Sequence, residues 1–211
     1  MQKKIEAVLF DFDMTLVDSS YAIHHCTNLM AKKMGLREVG YQELLATIGL
    51  PIDESWLRLW GEFKQEWLDY YRENFREVEQ SELRPYPDAV ETLETLRARG
   101  IKVGVVSNRR FAKRSVDAAK LTSYMDVVVG LEDVENAKPH PEPLLKGFAA
   151  IGVKPENGIY VGDTDIDMQT AKAAGVKGIG VATGNFSTDR LVAAGAWKAF
   201  PGLKAIPDAI A

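Results

Sequence analysis

Cysteine is nearly absent from this chain of 211 residues. The single thiol, Cys26, excludes an internal disulfide, suits a reducing compartment and points to a buried structural role rather than a reactive one. Long apolar runs are missing as well. No stretch approaches the roughly 20 residues that cross a bilayer, and the run after Lys3 and Lys4 is only a strand long, too short for a secretion signal. A cytoplasmic protein is expected. Lysines and arginines form no block and the net charge is −4, which argues against nucleic acid or an anionic membrane as a partner. Internal repeats and low-complexity segments are also lacking. What remains is ordinary globular material, 46% hydrophobic and 27% charged, enough for one large domain or for one domain with an insertion.

Short runs rich in Val and Ile are present at Ile5 to Phe10, Ile101 to Val106, Val127 to Val129, Ile159 to Val161 and Ile179 to Val181. Segments that read as helices separate them, at about Asp88 to Arg99, Arg110 to Lys120, Pro141 to Ile151 and Ile166 to Ala174, several ending at glycine. This alternation predicts an α/β fold, a doubly wound and mainly parallel sheet covered on both faces. Between Leu16 and about Leu83 there is no Val/Ile-rich run, and the pattern is helical. A first helix is expected from Asp18 or Ser19, either able to cap it, to just before Gly35, and a short one around Gln42 to Ile48. Trp56, Trp60, Phe63, Trp67, Leu68 and Tyr71 then recur at three- and four-residue spacing, an apolar stripe that suits bundle core rather than chemistry. The prolines of Leu83-Arg84-Pro85-Tyr86-Pro87 mark a linker. Residues 1–15 and 85–211 are therefore expected to form the α/β core and 16–84 a helical cap, hinged at Met14 to Asp18 and Glu82 to Pro87 over the site.

Chemistry-bearing residues stand at the ends of these runs. Ligands of open parallel sheets bind beyond the carboxyl ends of the strands, and Asp11, Ser107 and Asp163 each follow a run by one or two residues. Asp11 and Asp13, two residues apart at a buried strand end, repel each other unless a cation or a shared proton relieves them. Oxygen ligands suit a hard ion, with magnesium the best candidate for a phosphate substrate. Alone, the pair is equally compatible with a capped turn. Asp163 and Asp167, in Val161-Gly162-Asp163-Thr164-Asp165-Ile166-Asp167, add a carboxylate to complete a metal shell and one to orient a metal-bound water or Lys138. Asp165 reads as a solvated helix start. Ser107 offers a hydroxyl and loop amides to a phosphoryl oxygen, or serves as a helix cap. Lys138, pinned by Pro139 and Pro141, can neutralise both the carboxylates and a phosphate.

Four segments, "DFDMTLVDSS", "VVSN", "AKPHPEP" and "YVGDTDIDMQTAKAAG", in this order and with a helical insertion after the first, resemble the haloacid dehalogenase superfamily. The likeness spans the chain and is greatest to the phosphatases with a helical cap, such as phosphoglycolate phosphatases. It implies a magnesium-dependent hydrolase of a small phosphomonoester, with Asp11 as nucleophile forming an aspartyl-phosphate and Asp13 as acid and then base. It further implies magnesium held by Asp11, the backbone carbonyl of Asp13, and Asp163. Ser107 and Lys138 clamp the transferred oxygens, with Thr15 and Asn108 also binding substrate. Met14 departs from the family pattern, which usually has glycine there. The expected partner is a small phosphorylated metabolite, selected by the cap loop Thr47 to Pro51 and by Arg109 or Arg110.

Three other readings stay open. Pyrophosphate hydrolysis needs the same groups. A phosphotransferase like β-phosphoglucomutase needs a cap histidine, and His24 and His25 fall slightly out of register for it. A phospho-accepting signalling domain shares the strand-end aspartate and the lysine but lacks a helical insertion, and an acid dehalogenase needs neither the metal site nor Asp13.

Overall fold

Four consecutive residues with no solvent exposure, Ala7–Phe10, make strand β1. Burial on both faces is what an apolar run without alternation demands, and it puts β1 in the middle of the sheet. The computed structural model describes residues 4–211, so the beginning of the expected core segment, Met1–Lys3, lies outside the described residues.

After β1 a two-residue strand, β2 (Val17–Asp18), leads into five helices: α1 (Ser20–Met34), α2 (Tyr41–Leu45), α3 (Ile52–Trp60), α4 (Gln65–Asn74) and α5 (Arg76–Glu82). Strand β3 (Arg84–Pro85) returns antiparallel to β2, so the way out of the helices and the way back form one ribbon. The alternating part follows as α6 (Ala89–Ala98), β4 (Lys102–Val106), α7 (Ala112–Ala118), β5 (Val127–Val129), α8 (Glu142–Ala150), β6 (Gly158–Gly162), α9 (Asp165–Ala173) and β7 (Lys177–Val181). It closes with α10 (Thr188–Ala193), β8 (Lys198–Phe200) and α11 (Ile206–Ala209). The six strands lie in the order β5-β4-β1-β6-β7-β8, all parallel, with helices on the faces. The α/β fold class is as expected.

Register positions the site. Phe10 pairs with Val105 on β4 and Val161 on β6, so Asp11, Ser107 and Asp163 leave the sheet within about one residue rise, ~3.3 Å, of the same level. Two elements differ from the expectation. Strand β8, Lys-Ala-Phe, is a half-buried edge without a Val or Ile, and the β2–β3 ribbon is too short to show a period. At the start of α1, Asp18 Oδ1 rather than the Ser19 hydroxyl receives the Ser20 amide, at 3.1 Å.

The helices between β2 and β3 have an apolar cluster of their own, with Cys26, Met30, Leu44, Trp56, Leu59, Trp67 and Tyr71 buried in it. Trp56 packs edge-on against Trp60 and Tyr71, as the expected stripe requires. Burial pushes the Cys26 thiol up to about 12, so it stays a neutral packing group. Because Trp56 is 1% exposed, Trp56→Ala is expected to destabilise the protein by about 3–5 kcal/mol in urea unfolding. A loss below about 1 kcal/mol would show that the aromatic cluster is not the core of these helices.

Candidate active site

Asp11 follows β1 directly, its amide bonded to Val161 O at 2.8 Å, and its side chain is almost fully enclosed. Burial pushes its carboxyl up to about 7; Lys138 pulls the other way, and Asp167 and Asp13 add to the rise. Lys138 Nζ stands 2.9 Å from Asp11 Oδ1 and 2.7 Å from Asp167 Oδ1. Burial alone would favour a neutral lysine, but the two carboxylates hold it as an ammonium. Asp11 Oδ1 is enclosed and, apart from the Lys138 ammonium at 2.9 Å, receives no hydrogen bond.

Asp163 follows β6 and is equally buried. Burial, then Asp167 and Asp11, push its carboxyl well above the ordinary range. Thr15 has no exposed surface and donates its hydroxyl to Asp163 Oδ1 at 2.9 Å, so its role here is to brace that carboxylate. The other oxygen faces Gly184, where a Cβ would stand 2.0 Å from it, so this glycine keeps room beside the carboxylate.

Asp11, Asp163 and Asp167 offer oxygens within 4.8 Å of one another. Asp167 is saturated: Oδ1 accepts from Lys138, and Oδ2 accepts from the amide and hydroxyl of Thr164 at 3.1 and 2.6 Å. Tyr160, whose hydroxyl accepts from Lys138 at 2.9 Å and donates to Val106 O at 2.8 Å, completes the lysine's surroundings. Asp167 thus orients Lys138, while Asp11 and Asp163 keep acceptor capacity. Two buried carboxylates with raised pKa and oxygens clustered within 4.8 Å fit a hard divalent cation.

Asp13 turns away from this cluster. Its carboxylate receives Arg109 Nε at 3.0 Å and Nη2 at 2.7 Å. Burial would raise its pKa, but the guanidinium overrides that and holds it below the usual value. Ser107 Oγ accepts from the Arg109 amide at 3.2 Å, and its own O–H meets no protein acceptor among the described residues. Asn108 ties loops together: it donates to Gly49 O of the 47–51 loop and to Lys138 O, both at 3.1 Å, and accepts from the Lys138 amide at 2.8 Å.

Some of these residues line a cavity of about 460 Å³ between the sheet and the helices. Asp11, Asp13, Ser107, Asn108, Arg109 and Arg110 line one side of it; Thr47 to Leu50, Trp56, Arg72, Arg76 and Glu79 line the other. Glu79, an ion-pair partner of Arg109, gave no signal in the sequence, because it is one of several acids on a polar helix. His24 instead meets Val39 O at 2.8 Å, and His25 pairs with Glu82.

Residues 8–181 match the model of the family described as haloacid dehalogenase-like hydrolase. A phosphoglycolate phosphatase of Aquifex aeolicus is 34% identical over 176 residues, 82% of this chain and 83% of that one. The pyrophosphatase PpaX of Halalkalibacterium halodurans is 35% identical over 176 residues, 82% of each. Among solved structures, a haloacid dehalogenase-like protein from Bacteroides fragilis superposes with a TM-score of 0.87 at 29% identity, over 96% of this chain and 100% of that one. Matched over most of its length in sequence and in fold, with its strand-end carboxylates gathered at one crevice, the chain belongs to the haloacid dehalogenase-like hydrolase family.

Proposed function

We propose that the protein is a magnesium-dependent phosphatase of a small phosphomonoester, working through an aspartyl-phosphate on Asp11. The observation that carries this reading is Asp11 itself, a buried carboxylate paired only with Lys138 at Oδ1, within reach of Asp163 and in the lining of a cavity. Asp11 would attack phosphorus in line. Lys138 and the Ser107 hydroxyl neutralise and orient the phosphoryl oxygens. Asp13, which lines the cavity, would on release from Arg109 give the leaving oxygen its proton and later take one from water. Asp11 and Asp163, with the backbone carbonyl of Asp13, would hold magnesium. The ion supplies charge neutralisation to the carboxylates and the phosphate.

Residues 16–84 serve as the cap in this reading, and the Asn108–Gly49 bond joins it to the core beside Ser107. A cavity of 460 Å³ suits a metabolite rather than a polymer, nucleic acid or membrane surface. No described helix is long and apolar enough to cross a membrane. Phosphoglycolate is the proposed substrate, since a relative 34% identical is named for hydrolysing it. Pyrophosphate is the second, on the equal likeness to PpaX. A panel of phosphorylated metabolites assayed for phosphate release, with and without magnesium, tests the reading; no release from any would refute it.

Asp11→Asn is expected to lower turnover at least about a thousandfold, and full activity in it would refute the nucleophile. Asp163→Ala is expected to lower the rate and raise the magnesium needed for half-activation together; an unchanged magnesium requirement would remove Asp163 from the metal site.

The raised carboxyls predict a pH-dependent metal response. A carboxyl whose folded pKa is about 7 against 3.8 unfolded stabilises the metal-free protein below pH 3.8, and that contribution is lost as pH rises toward 7. Magnesium reverses the penalty by pairing with the ionised form, and must displace protons to do so. The gain in thermal midpoint on saturation with magnesium is therefore expected to be larger at about pH 8 than at about pH 5. Equal gains would contradict the assignment.

A further inference from the structure

Arg109 is more fully engaged than a substrate-binding arginine needs to be. Its Nε and Nη2 go to the two oxygens of Asp13, and its Nη1 goes to Glu79 on α5. The side chains of Arg109, Asp13 and Glu79 are 13%, 13% and 9% exposed, so these pairs are shielded from water. Glu79 is fixed in turn by the Tyr71 hydroxyl, and the guanidinium lies over the Phe12 ring at 5.6 Å. Both oxygens of Asp13 are tied down by this clamp, so neither can turn to a leaving oxygen until a guanidinium bond is released.

The rest of the cavity carries positive charge that is not spent in this way. Arg72, Arg76 and Arg110 also line it, and none is in an ion pair with a carboxylate among the described residues. Arg76 stacks on Phe111 at 5.0 Å, and burial together with Arg110 and Arg76 lowers the pKa of Arg72, with Asp69 and Asp53 opposing. An anion entering here meets attraction and has a planar, bidentate donor within reach.

We propose that Arg109 reads the charge of the leaving group: an anionic group on it takes over the donors now held by Asp13 and so frees Asp13, whereas a neutral leaving group leaves the clamp shut. The inference rests on the phosphatase reading and names its substrate class, phosphate compounds whose leaving group bears a carboxylate or a second phosphate. Exchanging one anionic acceptor for another at a guanidinium costs little; an uncharged alcohol cannot make that exchange.

The test compares kcat/KM for phosphoglycolate and for pyrophosphate with that for ethyl phosphate, whose leaving group is neutral. The native protein is expected to prefer one of the anionic pair, which also tells a carboxylate from a phosphate as the recognised group. In Arg109→Gln that preference is expected to fall at least about tenfold, with Arg109→Lys in between. No preference in the native protein, or an equal fall on all three substrates, would overturn the proposal, since a merely structural arginine lowers them alike. Should Arg109→Gln fail to fold, Glu79→Gln, which removes one competing anion, is expected to raise the preference by lowering KM for the anionic substrate; an unmoved ratio overturns the proposal. Absence of phosphate release from these three and from the whole metabolite panel refutes the phosphatase reading itself, whereas hydrolysis confined to substrates with a neutral leaving group overturns only the present proposal.

Discussion

Everything in the crevice depends on one ammonium group placed among carboxylates with almost no water. Lys138 Nζ is within 2.9 Å of both Asp11 and Asp167, and Asp163 adds a third buried acid nearby. At an effective dielectric near 20, one such pair at about 4 Å contributes roughly 4 kcal/mol of attraction. One lysine cannot offset three ionised acids, so burial prevails at Asp11 and Asp163, and both carboxyls rise. The fold tolerates this because Asp167, with its hydrogen bonds from Lys138 and Thr164, is the acid that stays satisfied. The site is therefore preorganised at a cost in stability, with unmet acceptor capacity left where a cation and a phosphoryl group would use it.

The parallel sheet turns this local arrangement into a site. Three neighbouring strands ending at one level bring together residues about 150 positions apart, such as Asp11 and Asp163. Close packing at the strand ends keeps the geometry fixed. A Cβ on Gly162 would lie 2.3 Å from Asp167 Cβ, so β6 and the start of α9 can approach only because that residue is glycine. The helical segment lends two groups to the same crevice, Gly49 O at Asn108 and Glu79 at Arg109. Both partners follow Ser107 immediately, so the loop proposed to hold the phosphoryl oxygens is also the loop that holds the helices down.

Most of the sheet was legible in the sequence because its inner strands are continuous apolar runs, and burial on two faces leaves that mark on β1, β4 and β6. The strand-end acids were legible only together: Asp11 and Asp13 alone read equally well as a capped turn, and it is their recurrence with Ser107, Lys138 and Asp163 near the ends of other runs that points to one crevice. The rest depended on tertiary context. Strand β8 is an edge, and its Lys-Ala-Phe carries no burial signature. Glu79 looks like its exposed neighbours until the chain folds it against Tyr71 and Arg109. Thr15 sits among residues expected to touch substrate, yet its hydroxyl is spent on Asp163 across 148 positions of sequence, a pairing that no local pattern encodes.

Met14 shows how the turn after Asp13 is held. Its φ of 57° lies in the left-handed region, which costs a residue with a side chain about 1 kcal/mol relative to glycine. Two backbone bonds hold the turn, and burial of the side chain offsets that cost. The Met14 amide bonds to Val17 O at 2.8 Å, the Thr183 hydroxyl donates to Met14 O, and the side chain is 95% shielded, at 5% exposure. Glycine would satisfy the backbone equally well but would give up that burial, about 1.5–3 kcal/mol for a methionine. Because the Met14 Cβ also lies 3.2 Å from where a Cβ on Gly184 would stand, this side chain borders the space kept open beside Asp163. The methionine therefore exchanges conformational ease for packing, and it stiffens the turn that joins the two strand-end aspartates to the first connection into the helices.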